Sequence, residues 1–185
     1  MWVHSNLDEV EVFLNGVSQG SKKVEPLTHL EWSVKYEPGT LEARGSKGGK
    51  VVMTEKRETA GPIASIRLTP DRSMIDADGE DLAFLRVEGF DAQGRPVATA
   101  GDMIKFNITG DGVFLGVGNG DPNCQESDKE PMRSLFNGLA MVIVQSTKTP
   151  GEISVEAYTE EWPGPKLPRV KATIATRRVE MRSST

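Results

Sequence analysis

The side chains best suited to chemistry in this sequence are its 27 aspartates and glutamates. Two carboxyl groups held close together can act as general acid and general base when one is ionised and the other carries a proton. That difference in pKa requires a sheltered cleft, because an exposed carboxyl group titrates in its ordinary range. The acidic residues that the sequence allows us to place fall on solvent faces of strands or in turns. We therefore predict no catalytic residue in this chain.

The densest group of acids is the run Asp-Ala-Asp-Gly-Glu-Asp at residues 76–81. Oxygen ligands at alternate positions followed by a glycine are typical of the start of a calcium-binding loop. The remainder of such a loop, with its terminal glutamate, does not follow. A polar turn whose aspartates accept hydrogen bonds from backbone amides is the simpler interpretation. We predict no metal site and no cofactor, with calcium held by irregular ligands as the alternative.

A second polar group surrounds the glycine-rich run Gly-Val-Gly-Asn-Gly-Asp-Pro at residues 116–122. A phosphate-binding loop of this kind would open a helix. No helical pattern follows, so the run predicts a strand that ends in a tight turn. Asn119 and Asp121 would then lie on a loop beside Arg133, and all three side chains can hydrogen-bond sugar hydroxyls. They are candidate carbohydrate contacts, and the alternative is that they hold the following loop in place.

Exposed aromatic rings bind sugars by packing on the C–H face of a pyranose. Aromatic residues make up only 6% of this chain, which is sparse for a dedicated carbohydrate-binding module. Trp162 lies in a Pro/Gly loop and is the best aromatic candidate, with covering of a sheet edge as its alternative role. Trp32 is predicted to be a core residue. Trp2 is predicted to be one too, with exposure by truncation of its domain as the alternative. Cys124 is interpreted as a loop thiol, because a nucleophilic thiol needs a neighbouring base.

The elements that must position these residues are predicted to be β-strands. Apolar and polar residues alternate with period two, and turn residues recur about every 8–12 residues, as in a β-sandwich. The clearest alternation covers residues 30–36. The continuous apolar run at residues 139–144 predicts a strand that is either buried on both faces or at the centre of a sandwich. Residues 121–133 form a predicted surface loop. No stretch shows a helical apolar period, so the predicted fold class is all-β.

The run Thr-Ala-Gly-Pro at residues 59–62 has the composition of a linker. We therefore predict two consecutive immunoglobulin-like antiparallel β-sandwiches, in residues 1–60 and 61–185. The apolar pair Trp2-Val3 already belongs to a predicted strand. For that reason the first domain is expected to be partial, with upstream sequence pairing beside this strand.

Charge and hydropathy exclude two classes of partner. The net charge is -5, and acids alternate with bases along the strands. Binding to nucleic acid requires clustered lysine and arginine, so no such partner is predicted. No apolar run approaches the roughly 20 residues that a membrane helix requires, so no membrane partner is predicted.

Several segments resemble domains of a known enzyme family. In the first half they are residues 1–6, 8–16, 29–32 and 36–41, which include the run Asp-Glu-Val-Glu-Val-Phe-Leu-Asn-Gly. These segments resemble the small sandwich that follows the catalytic barrel in many glycoside hydrolase family 2 enzymes, chiefly bacterial β-galactosidases. The next domain of those enzymes is similar to residues 77–82, 116–122, 136–138 and 142–146. The resemblance extends from Trp2 to about Ala157.

The resemblance implies a non-catalytic accessory region of a β-galactosidase-like hydrolase. Family members use two glutamates on the barrel, and no position here matches the motifs that carry them. The expected partner is the parent's own upstream catalytic domain, which the sandwiches would brace and whose cleft they would shape. Oligosaccharide or polysaccharide is a further expected partner. A carbohydrate-binding module and an adhesion-type immunoglobulin spacer are the alternatives, and the parent is expected to be a periplasmic or secreted bacterial protein.

Overall fold

A computed structural model of the chain describes residues 1–160 and 166–179. Within these residues the chain forms fifteen β-strands and no helix, which confirms the all-β prediction. The described part accordingly contains no helix that is long and apolar enough to cross a lipid bilayer. The strands belong to two compact units, Met1–Thr59 and Ala60–Thr185.

The first unit contains six strands, all in the described part of the chain: β1 (Trp2–Val3), β2 (Glu9–Leu14), β3 (Val17–Lys23), β4 (Leu30–Glu31), β5 (Thr40–Lys47) and β6 (Lys50–Glu58). Four of them form an antiparallel sheet in the order β3-β2-β5-β6, and β1 pairs with β4 in a separate small sheet. The β2–β3 hairpin turns at Asn15 and Gly16, whose φ angles of 50° and 81° suit an Asn-Gly turn.

The core of the first unit is small. Val10 and Val12 of β2 pack with Leu30 and Trp32, and all four side chains are buried. The indole Nε1 of Trp32 also donates a hydrogen bond of 3.1 Å to the carbonyl oxygen of Gly20. The one polar group of this buried side chain therefore has a partner, and Trp32 is a core residue as predicted. The two edge strands β3 and β6 are exposed along their whole length. The second layer of this unit therefore covers only part of the four-stranded sheet.

Two predictions about the first unit are wrong. The strand predicted at residues 30–36 covers only Leu30 and Glu31, although Trp32 still exchanges two backbone hydrogen bonds with Met1. Alternation places side chains on two faces, but a strand also needs a partner for its backbone groups. Trp2, predicted to be in the core, is 65% exposed, and its ring centroid lies 4.4 Å from that of His29.

The second unit contains nine strands in its described part: β7 (Ile63–Pro70), β8 (Met74–Asp76), β9 (Leu82–Asp91), β10 (Met103–Gly110), β11 (Gly112–Gly118), β12 (Met132–Ser134), β13 (Leu139–Ser146), β14 (Gly151–Tyr158) and β15 (Val170–Arg177). They form a five-stranded sheet in the order β12-β10-β14-β15-β8 and a four-stranded sheet in the order β11-β13-β9-β7. All strand pairs are antiparallel except the parallel pair of β8 with β15.

The two sheets of the second unit enclose its core. The largest fully buried side chains include Leu85, Val87, Val142 and Val144 from the four-stranded sheet and Ile104, Ile153, Val155 and Ile174 from the five-stranded sheet. They belong to one continuous hydrophobic cluster. The apolar inner faces of the two sheets thus form a β-sandwich.

Of the two interpretations of residues 139–144, strand β13 fits a central strand of a sandwich and not a strand buried on both faces. Its buried residues alternate with exposed ones: Leu139 and Met141 are 41% and 36% exposed, whereas Val142 is fully buried. An antiparallel sheet in a sandwich has one face toward the core and one toward solvent, so an unbroken apolar run does not require two covering layers.

Candidate functional site

The three polar residues predicted to contact carbohydrate lie together in the second unit, around the loop between β11 and β12. The side-chain amide of Asn119 donates to the carbonyl oxygen of Ser134 at 2.9 Å, and its oxygen accepts from the backbone N–H of Asp121 at 3.0 Å. Asp121 in turn accepts from the backbone N–H of Asn123 at 2.9 Å. Both side chains therefore bond to backbone groups, Asp121 within the loop and Asn119 to the loop and to β12.

Arg133 lies on β12, not on the predicted surface loop, and its side chain is only 5% exposed. Its guanidinium donates to the carbonyl oxygens of Glu126 and Val117 at 3.2 and 3.3 Å. It also lies 2.8 Å from the Sγ atom of Cys124. A guanidinium enclosed by its own loop offers almost no surface to a ligand, so these contacts favour the loop-holding alternative for Arg133.

Glu126 completes this cluster from the loop side. Its carboxylate accepts hydrogen bonds from both the hydroxyl and the backbone N–H of Ser134. Burial alone would raise the pKa of Glu126, but these bonds and the charge of Arg133 outweigh burial and lower that pKa below its usual range. A carboxyl group with a lowered pKa is ionised at neutral pH and is unsuited to act as a general acid.

The acidic run at residues 76–81 forms a polar turn. One carboxylate oxygen of Asp78 accepts from the backbone N–H groups of Glu80 and Asp81, both at 2.8 Å, and these bonds lower the pKa of Asp78. Asp81 accepts from the backbone N–H of Asp76 at 2.8 Å. Within residues 1–160 and 166–179, no group of three or more His, Cys, Asp or Glu side chains is arranged to hold a metal ion.

Asp91 was not among the site residues predicted from the sequence. Its side chain has no exposed surface. Its two carboxylate oxygens accept from the backbone N–H groups of Gly61, Gln93 and Arg95 at 2.9 Å and from Nε of Arg95 at 2.7 Å. Burial favours protonation, but the four donors outweigh it and hold the pKa of Asp91 far below its usual range. The available signal was an aspartate opening an Asp-Ala-Gln-Gly turn.

The first unit has a groove of about 570 Å³ between β1 and the open face of the four-stranded sheet. Its floor includes Val10, Leu41 and Ala43, and Met53 lies on its β6 side. The exposed indole of Trp2 also lines the groove. This surface on the inner face of a sheet is mostly apolar, and the ion pair of Glu55 with Arg57 also lines it. Trp162, the remaining predicted contact, lies outside the described residues.

These features define the class of the chain as two β-sandwich units whose polar loops are held by their own backbone. Comparison with protein families narrows the class. The model for glycoside hydrolase family 2 C-terminal domain 5 matches residues 66–167, and the model for a domain of unknown function matches residues 1–53. The first match covers more than half of the chain. The chain belongs to glycoside hydrolase family 2, as its sequence motifs predicted.

Individual relatives agree with this assignment. A β-galactosidase of Bacteroides ovatus is 42% identical over 162 residues, which are 86% of this chain and 19% of the relative. A putative β-glucuronidase of Formosa agariphila is 33% identical over 161 residues, which are 84% of this chain and 15% of the relative. The chain therefore spans less than a fifth of the length of these two curated relatives.

Solved structures also match nearly the whole chain. A glycosyl hydrolase family 2 member from Bacteroides cellulosilyticus superposes with a TM-score of 0.85 at 35% identity, covering 95% of this chain and 22% of that chain. A β-glycosidase from Bacteroides vulgatus superposes with a TM-score of 0.79 at 31% identity, covering 94% of this chain and 22% of that chain. The predicted fold, two immunoglobulin-like sandwiches, is confirmed at this level.

Proposed function

We propose that this chain is a non-catalytic accessory region of a bacterial β-galactosidase-like enzyme that hydrolyses O-glycosyl bonds. The observation that carries the proposal is the pair of consecutive family matches, to residues 1–53 and 66–167, in a chain that spans about a fifth of the family members it superposes on. The relatives with these features are named as β-galactosidases and β-glucuronidases. The partner of this region is the catalytic domain of its own parent enzyme.

The electrostatics of the carboxyl groups support a non-catalytic role. Among the described residues, each carboxyl group with a resolved pKa shift has a lowered pKa, namely Glu42, Asp78, Asp91 and Glu126. The acid of a glycosidase needs the opposite, a carboxyl group whose pKa is raised so that it holds its proton near neutral pH. These four groups are ionised acceptors for hydrogen bonds and ion pairs.

The open groove of the first unit supports a bracing role. Trp2 and Met53 are 65% and 63% exposed although they line an apolar groove on the inner face of a sheet. Exposed apolar surface of this kind is typical of a surface that packs on another domain. We propose that the catalytic domain of the parent covers this groove, and that the contact orients loops near the substrate cleft.

Paired substitutions on β6 in the complete parent enzyme test the bracing proposal. Met53 lines the groove, whereas its neighbour Val52, which has no ladder partner on β5, does not line it and is similarly exposed, at 57%. We expect Met53→Glu to lower the melting temperature by several degrees, because a buried unpaired charge costs several kcal/mol. Val52→Glu should lower it by about 1 °C or less. Equal melting temperatures for both variants and the wild type would contradict bracing.

Activity of the isolated chain is a separate test. The purified 185-residue chain is assayed with a chromogenic β-galactoside, with the complete parent enzyme as positive control. We expect no turnover above the rate without protein. Measurable hydrolysis by the chain alone would refute its assignment as a non-catalytic region.

A further inference from the structure

A second groove, of about 420 Å³, lies in the second unit. Its walls include Ser65 and Arg67 of β7 and Val170 and Lys171 of β15, and Phe90 also contributes. Strand β7 is at the edge of its sheet. The parallel partner of β15, β8, pairs only with residues 175–177, so the groove runs where two sheet edges are open. Its volume is within the range of small-ligand sites, about 300–1,000 Å³.

Arg67 is the residue that gives this groove a chemical preference. Its guanidinium lies over the ring of Phe90, with Cζ 4.2 Å from the ring centroid, which fixes the plane of its N–H donors. In the part of the chain that the structure describes, Arg67 has no salt bridge. Glu88, its cross-strand neighbour, is instead paired with Arg86 at 3.0 Å. Arg67 therefore presents a held guanidinium that forms no ion pair with a described carboxylate.

Lys171, on the other wall of the groove, is likewise not paired with the acidic residue opposite it on the neighbouring strand. Glu156 is its cross-strand neighbour on β14, but that carboxylate is paired with Arg169 at 3.6 Å. No described carboxylate forms a salt bridge with Lys171 itself. Asp91, which follows Phe90, is bound by Arg95 at 2.7 Å. Among the described residues, these nearby acids are thus paired with other arginines, and neither Arg67 nor Lys171 forms an ion pair there.

We propose that this groove binds an acidic saccharide through the carboxylate of a uronic acid ring. The planar guanidinium of Arg67 matches a carboxylate with two parallel N–H···O bonds. Lys171 and the hydroxyl of Ser65 are placed to bind a second anionic or hydroxyl oxygen, and the apolar wall at Val170 suits the C–H face of a ring. The choice of a saccharide among carboxylates rests on the proposed function as part of a glycoside hydrolase.

A titration of the ¹⁵N-labelled 185-residue chain with trigalacturonic acid tests the proposal, and its methyl ester serves as the uncharged control ligand. Amide shifts should be confined to the residues around Ser65, Arg67 and Lys171. We expect Arg67→Gln to weaken binding of the acid by about tenfold or more, which is the loss of one charge-assisted contact. The methyl ester should bind at least as weakly as the acid binds to that variant.

Arg72→Gln is the matched control, because it removes the same charge from a half-exposed arginine of the same unit that does not line the groove. It should leave the affinity within about twofold of the wild type. Absence of binding, equal binding of the methyl ester, or equal loss in both variants would each overturn the proposal. The outcome is independent of the Met53→Glu test, since Arg67 and Met53 belong to different compact units.

Discussion

Replacing Arg133 with methionine separates the two roles considered for the polar cluster of the second unit. Methionine keeps an unbranched, flexible side chain of similar length but removes the guanidinium. In the wild type this group donates to the carbonyl oxygens of Val117 and Glu126 and contacts Cys124 from a position that is 5% exposed. If Arg133 holds the loop, its loss must weaken folding; if it only serves a ligand, folding should be unaffected.

The magnitude follows from the contacts that are lost. A hydrogen bond from a charged donor contributes about 1.5–3 kcal/mol, so two carbonyl contacts at the low end are worth about 3 kcal/mol. Removing a guanidinium from a buried position relieves its desolvation cost and offsets part of this loss. We expect a net loss of about 2 kcal/mol in the free energy of unfolding, or about 5–8 °C in the melting temperature of a unit of this size.

Urea unfolding followed by far-UV circular dichroism measures this loss, and hydrogen exchange of residues 119–131 shows whether the loop is released. Lys129→Met is the control, because Lys129 also donates to a backbone carbonyl, that of Leu115, but from an exposed position. Its cost should stay below about 0.5 kcal/mol. A stability of Arg133→Met that equals the wild type, with unchanged exchange in the loop, would refute the loop-holding role.

Two further substitutions test the second unit. Gly110 and Gly120 both have a positive φ, but a methyl group would clash with the backbone oxygen of Glu152 only at Gly110, since Gly120 faces open space. Gly110→Ala should therefore lower the free energy of unfolding by about 2 kcal/mol or more, and Gly120→Ala by about 1 kcal/mol. Equal losses in thermal unfolding would contradict the clash. The lowered pKa of Asp91 means that its stabilisation is complete above the ordinary aspartate pKa of about 3.9 and is lost as pH falls below it. Wild-type stability should therefore fall more steeply than that of Asp91→Asn between about pH 4 and pH 2, and parallel pH profiles in urea titrations would show that Asp91 is not ionised in this role.

Local patterns were sufficient to predict the strand content and the family of the chain. A pleated strand places successive side chains on opposite faces, so burial against one layer leaves period-two alternation in the sequence. The Asn15-Gly16 turn was predictable for a similar reason, because only a few residue types accept a positive φ. The run at residues 8–16 likewise carried the family resemblance without any knowledge of the fold.

The ends of strands and the burial of their faces depend on partner strands that are distant in the chain, so alternation alone could not predict them. Residues 30–36 alternate as a strand should, yet only Leu30 and Glu31 pair in a ladder. The apolar run at residues 139–144 did not show that β13 has only one buried face. Pairing and covering layers are properties of the assembled sheets, and no local window of sequence contains them.

The residues of the candidate site were also predictable from the sequence only in part. Asn119, Asp121 and Arg133 were recognised as polar neighbours, and they do lie around one loop. Their partners are mostly backbone atoms, which have the same chemistry at every position and so leave no mark in the sequence. Asp91 was missed although three of its four donors lie within four residues of it, and only the bond from the N–H of Gly61, thirty residues earlier, needed the tertiary structure. Residue type thus determined which groups can bond, and only the tertiary structure decided which of them are buried and already paired.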